Sequence, residues 1–86
     1  MSNPELIIRT CMAEQCEGSG LKPAGVDLDR PLFEHYGLTS LNMISLLMNV
    51  CGHAGIELSE FTEQDLASFK TPRDIVGAVA NLRRSA

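Results

Sequence analysis

Eighty-six residues, 44% hydrophobic and 21% charged, describe one small folded domain over residues 1–86, which suits a scaffold better than a deep catalytic cavity and is too apolar for a disordered tail. Eleven acids against seven Lys and Arg leave a net charge of −4, which argues against nucleic acid as a partner, because neutralising phosphates needs clustered basic groups. No window approaches the roughly 18–20 apolar residues of a membrane span, and three cysteines, an odd number, close no disulfide framework.

The start, Met1-Ser2-Asn3-Pro4-Glu5, lacks the basic residues and apolar run of a signal peptide, so a reduced cytoplasmic setting is expected. Helical periodicity begins at once. Asn3 can cap a helix over residues 4–17, with Pro4 at the first position, where its missing N–H costs nothing. Leu6, Ile7, Cys11 and Met12 form its expected apolar stripe, and Gly18-Ser19-Gly20 ends it.

From Gly18 to about Thr39 the chain holds Gly20, Pro23, Gly25, Pro31 and Gly37, too many breakers for a long helix. It also holds Leu21, Val26, Leu28, Leu32, Phe33 and Tyr36, so this connection is expected to be ordered by packing. One short helical turn fits residues 32–36.

A second helix is expected over residues 40–51, capped by Thr39, with Gly52 and Gly55 breaking the pattern. A third, short one fits residues 62–68, where Thr62 and Asp65 have capping-box spacing. The last fits residues 72–84: Thr71 caps, Pro72 opens, Asp74 reaches back, and Ile75, Val76, Val79 and Leu82 share a face. Arg83 and Arg84 suit its negative end. No β-alternation is sustained, so the fold class is all-α: a small four-helix bundle of three main helices, one short helix and a long ordered loop.

The second helix is unusually apolar. With Ser40 at zero, Ile44, Met48 and Leu41 fall at roughly 40°, 80° and 100°, while Leu47, Met43, Val50 and Leu46 fall at roughly −20° to −120°. Ser40 thus lies between two apolar stripes. The stripe of Leu46, Leu47 and Val50 is the better core candidate. The stripe of Leu41, Ile44 and Met48 is then either an open docking surface or a second buried flank. Ser40 itself sits at the positive end of the helix dipole, where a phosphate ester is favoured.

The stretch Pro31-Leu32-Phe33-Glu34-His35-Tyr36-Gly37-Leu38-Thr39-Ser40-Leu41 resembles the phosphopantetheine attachment motif of acyl carrier proteins, which normally reads Gly-x-Asp-Ser-Leu before an aliphatic helix. Phe69-Lys70-Thr71-Pro72-Arg73-Asp74-Ile75-Val76 is similar to the start of that family's last helix, and Asp27-Leu28-Asp29 to its acidic approach. The resemblance covers nearly the whole chain. It implies a non-catalytic carrier in which a phosphopantetheinyl transferase esterifies Ser40 with 4′-phosphopantetheine from coenzyme A. Acyl groups would ride as thioesters to acyl-loading and acyl-processing enzymes such as ketosynthases or acyltransferases. It implies a monomer whose docking address includes Thr39, Leu41, Ile44 and Met48.

Two departures narrow the expectation. Thr39 stands where the family usually has Asp, and residues 40–51 carry no charge, whereas housekeeping fatty-acid carriers usually have acids there. Docking is therefore expected to lean on apolar contact, with acids from Glu57, Glu60, Glu63 and Asp65, which favours polyketide or other specialised biosynthesis over bulk fatty-acid synthesis; Leu38-Thr39 does not match the Gly-Gly-His-Ser-like motif of aminoacyl carriers. The alternatives are a carrier for fatty-acid or aminoacyl groups, an unmodified carrier-like adaptor and an unrelated helical regulator.

Other constellations are weaker. Cys11, Cys16, Cys51, His35 and His53 have poor metal-ligand spacings, so no metal is expected. Ser40 and His53 lack the strand-turn-helix elbow of a nucleophile, and a DNA-reading helix without a charge would be a poor one.

Overall fold

The computed structural model describes residues 3–16, 18 and 20–85, with side chains to residue 83. The readings placed on Met1, Ser2, Glu17, Ser19, Ala86 and the Arg84 side chain lie outside the described residues. Four α-helices follow one another: α1 (Pro4–Gln15), α2 (Ser40–Ala54), α3 (Glu63–Ser68) and α4 (Pro72–Ser85). Short 3₁₀ turns at Pro23–Gly25 and Leu58–Glu60 lie in the connections, and the described residues contain no strand.

Each helix starts where local chemistry satisfies its first N–H groups. Asn3 Oδ1 accepts from the Leu6 N–H at 2.7 Å, with Pro4 next in line. At α3, the Thr62 hydroxyl accepts from the Asp65 N–H at 3.0 Å, and the Asp65 carboxylate accepts from the Thr62 N–H at 2.9 Å. At α4, the Asp74 carboxylate accepts from the N–H groups of Lys70 and Thr71 at 2.9 and 3.0 Å. It is held below the usual carboxylate range: burial acts to raise it, but those backbone donors, the Thr71 hydroxyl and the Lys70 charge together prevail.

The core is aliphatic. Ile7, Ile8, Cys11 and Met12 of α1 pack with Met43, Leu46, Leu47, Val50 and Cys51 of α2 and with Ile75 and Val79 of α4. Val76 and Leu82 lie at its margin, half-buried. The expected α1 stripe needs one correction: Leu6 is 48% exposed and Ile8 takes its place. The cause is geometric. Ile7, Cys11, Ile8 and Met12 span about 140° of the helix, and Leu6 points roughly opposite their midpoint.

Two helix ends also differ from expectation. α1 stops at Gln15, with Cys16 as its C-cap, its N–H bonded to Met12 O at 3.0 Å. α2 runs through Gly52 to Ala54, because a mid-helix glycine costs only about 1 kcal/mol. Gly55, at φ +73°, supplies the left-handed turn, and the N–H groups of Gly55 and Ile56 both reach Cys51 O.

The long connection is stitched down at several points. Val26, Leu28, Leu32 and Leu38 are buried, while Phe33 remains 48% exposed. The Arg9 guanidinium donates to Pro23 O at 3.2 Å and Val26 O at 2.6 Å. The Tyr36 hydroxyl donates to Asp27 O and accepts from the Asp27 N–H, both at 2.8 Å. The Leu32 N–H bonds to Lys70 O and the Arg73 N–H to Leu28 O, tying the loop to the start of α4. The turn expected at residues 32–36 is present, with the His35 N–H on Pro31 O at 3.0 Å.

α3 buries no side chain of its own. Phe61 before it and Phe69 after it are buried instead, edge to face with ring centroids 5.5 Å apart, so α3 is held by its flanks. No disulfide joins Cys11, Cys16 and Cys51 to one another. Burial, aided by the Glu14 charge, pushes the Cys11 thiol up to about 11, and burial also raises Cys16 and Cys51.

Candidate functional site at the start of the second helix

The chain approaches α2 through Gly37, at φ +67°, and Leu38, which is buried against the core. A side chain at residue 37 would strain that left-handed turn, so the glycine fixes how the loop delivers residues 39–41. Thr39 is the N-cap: its hydroxyl accepts from the Asn42 N–H at 3.2 Å. Asn42 answers, its Oδ1 accepting from the Thr39 N–H at 3.1 Å. The first intrahelical bond then runs from the Met43 N–H to Thr39 O at 2.9 Å.

Ser40 is therefore the first helical residue, and it is exposed. Thr39 is exposed as well, but its oxygen is committed to the cap. The N–H groups of Ser40 and Leu41 find no acceptor among the described residues, as expected for the first turn of a helix. With no acid in that turn, the local field is the positive end of the dipole. A phosphodiester on the Ser40 oxygen fits these surroundings: an accessible hydroxyl, unpaired donors and no repelling carboxylate in the first turn.

The two stripes of α2 part company in the structure. Met43, Leu46, Leu47, Val50 and Cys51 are buried. Leu41, Ile44 and Met48 are 78%, 50% and 59% exposed, which removes the reading of α2 as a helix buried on both flanks. A shallow groove of about 300 Å³ opens beside Ser40, with Met43, Ile44 and Leu47 on one wall and Phe33, Leu66 and Ala67 on the other. Exposed Phe33 and Leu66 were not foreseen as its neighbours, because nothing local places a loop residue and an α3 residue beside α2.

Asn42 was also missed, although Thr-x-x-Asn is the capping-box spacing with an amide in place of the usual Glu or Gln. Of the four acids expected to border the apolar stripe, Glu60 accepts from the Glu57 N–H at 2.7 Å and Asp65 caps α3. Glu57 and Glu63 are exposed.

Ser40 and His53 stand at opposite ends of α2, about 20 Å apart along the axis, so they form no catalytic pair. Among the expected non-ligands, Cys11 and His53 do come close, joined by Glu14 and not by Cys16, Cys51 or His35.

A family model for the phosphopantetheine attachment site matches residues 7–79, most of the chain, with Ser40 near the middle of the match. The chain belongs to that family. Comparison with curated proteins finds no match. Membership makes this small helical bundle a phosphopantetheine carrier, since domains of the family are where 4′-phosphopantetheine is covalently attached. Such carriers work with phosphopantetheinyl transferases and acyl-processing enzymes. No helix among the described residues is long and apolar enough to cross a membrane.

Proposed function

We propose that Ser40 is the residue that bears the arm, and that the protein is a non-catalytic, monomeric, cytoplasmic acyl carrier of a specialised pathway such as polyketide biosynthesis. The observation that carries the proposal is the exposed hydroxyl at the first position of α2, inside the family match, with unpaired N–H groups beside it. When bound, phosphopantetheine supplies a thiol on which acyl groups form thioesters. The protein's part is physical. Tethering replaces free diffusion by an effective concentration on the order of millimolar at a docked enzyme.

Leu41, Ile44 and Met48 form the apolar part of the docking address in this proposal, with Thr39 at its edge. Fully burying one such side chain is worth about 1.5–3 kcal/mol before the cost of association. The absence of charge over residues 40–51 supports docking through shape and apolar contact, and with it the specialised pathway rather than bulk fatty-acid synthesis.

The test is intact-mass spectrometry after incubation with coenzyme A and a broad-specificity phosphopantetheinyl transferase. One phosphopantetheine adduct per chain, absent in Ser40→Ala, is expected. No adduct with several transferases would favour an unmodified adaptor instead.

A further inference from the structure

Away from Ser40, at the other end of α2, the packing of α1 on α2 gathers three metal-ligating side chains. Cys11 and Glu14 are three residues apart and so share a face of α1. His53 lies in the last turn of α2. The Cys11 Sγ, a Glu14 carboxylate oxygen and a His53 ring nitrogen all lie within 4.8 Å of one another. His53 Nε2 and Glu14 Oε1 are 3.9 Å apart.

Those distances are close to what a tetrahedral ion requires. Metal–sulfur bonds of about 2.3 Å and metal–nitrogen or metal–oxygen bonds of about 2.0–2.1 Å place neighbouring donor atoms roughly 3.4–3.7 Å apart. The adjustment needed is about 1 Å, and the freedom to make it is in the right place. Cys11 is buried and fixed, whereas Glu14 and His53 have side chains 57% and 54% exposed and can close over it.

We infer that Cys11, Glu14 and His53 form a zinc-class divalent metal site that bridges α1 and α2. The donor set decides the class. A thiolate, an imidazole and a carboxylate together suit Zn²⁺, whereas Ca²⁺ and Mg²⁺ take oxygen donors. Three protein ligands leave the fourth position to water, on the solvent side where Glu14 and His53 are exposed. On binding, the Cys11 S–H bond breaks, a metal–sulfur bond forms, and the proton leaves to solvent. The ion joins the two helices about 20 Å along α2 from Ser40, so it acts on the fold and not on the attachment chemistry.

The test uses the untagged 86-residue chain carrying Ser40→Ala, so that no arm thiol competes for the ion. Calorimetric titration with Zn²⁺ is expected to give one ion per chain and a raised Tm. Co²⁺ is expected to give a thiolate-to-cobalt charge-transfer band. Glu14→Ala and His53→Ala, both at exposed positions, should each weaken Zn²⁺ binding by at least about tenfold, the lower end of what losing even an outer-shell partner costs. The metal-free Tm of both should stay unchanged. Cys11→Ala should abolish the charge-transfer band, and Cys16→Ser should keep it. Unchanged Zn²⁺ affinity in His53→Ala, or a Co²⁺ band that is lost in Cys16→Ser, overturns the site; the exposed variants decide even if Cys11→Ala fails to fold.

Discussion

Thr39 and Asn42 cap each other: the threonine hydroxyl takes the asparagine N–H at 3.2 Å, and the asparagine amide oxygen takes the threonine N–H at 3.1 Å. Two orphan donors are satisfied without a carboxylate, so Thr39 keeps the helix start intact although the family usually has Asp there. Thr39→Ala should destabilise the protein by about 1 kcal/mol, and Asn42→Ala by a similar or smaller amount. In a domain of this size that corresponds to a Tm fall of about 4–8 °C. Thr39→Asp should hold or raise stability, because a carboxylate at that end meets the positive dipole. Thermal melts of the three variants check this; an unchanged Tm in Thr39→Ala would contradict the capping account.

Arg73 at the start of α4 forks onto Asp29 of the long loop, Nε to Oδ1 at 2.6 Å and Nη2 to Oδ2 at 3.2 Å. The hydrogen bond from Arg73, aided by its charge, lowers the Asp29 carboxyl from its ordinary 3.8. A carboxyl lowered on folding adds stability above its unfolded value and loses it as pH falls through the folded one. The Tm difference between the native chain and Asp29→Asn should therefore be constant near neutrality and shrink below about pH 4. It should also shrink with added salt, because both groups are exposed. A gap that persists at low pH would show that the ion pair is not its source.

The two stripes of α2 should respond oppositely to mutation. Leu46 is fully buried, so Leu46→Ala should cost about 2–5 kcal/mol, a large part of a small domain's stability. Leu41 is 78% exposed, and Leu41→Ala should stay within about 0.5 kcal/mol by urea denaturation. Leu41→Glu and Met48→Glu should fold and accept the arm, yet bind a cognate enzyme at least about tenfold more weakly, a loss of about 1.4 kcal/mol in contact energy. Normal turnover with partners by either variant would refute the docking stripe.

Helix starts were legible in the sequence because capping is local chemistry: Asn3, Thr39, Thr62 and Thr71 each act within three residues of themselves. The exposure of Leu41, Ile44 and Met48 was only half legible. Periodicity gives two stripes but not which one the rest of the fold covers. What escaped the sequence was tertiary. Phe33 and Leu66 meet Ser40 across a groove built from three segments, and Cys11, Glu14 and His53 converge only because α1 packs on α2. The α2 terminus was misplaced for an energetic reason: Gly52 weakens a helix without ending one, while Gly55 provides the left-handed stop.

The most direct measurement is peptide mapping by tandem mass spectrometry of the enzymatically modified chain. Phosphopantetheine is expected on Ser40 and on no other residue. An arm found on Ser45, Ser59, Ser68 or any other serine would contradict it.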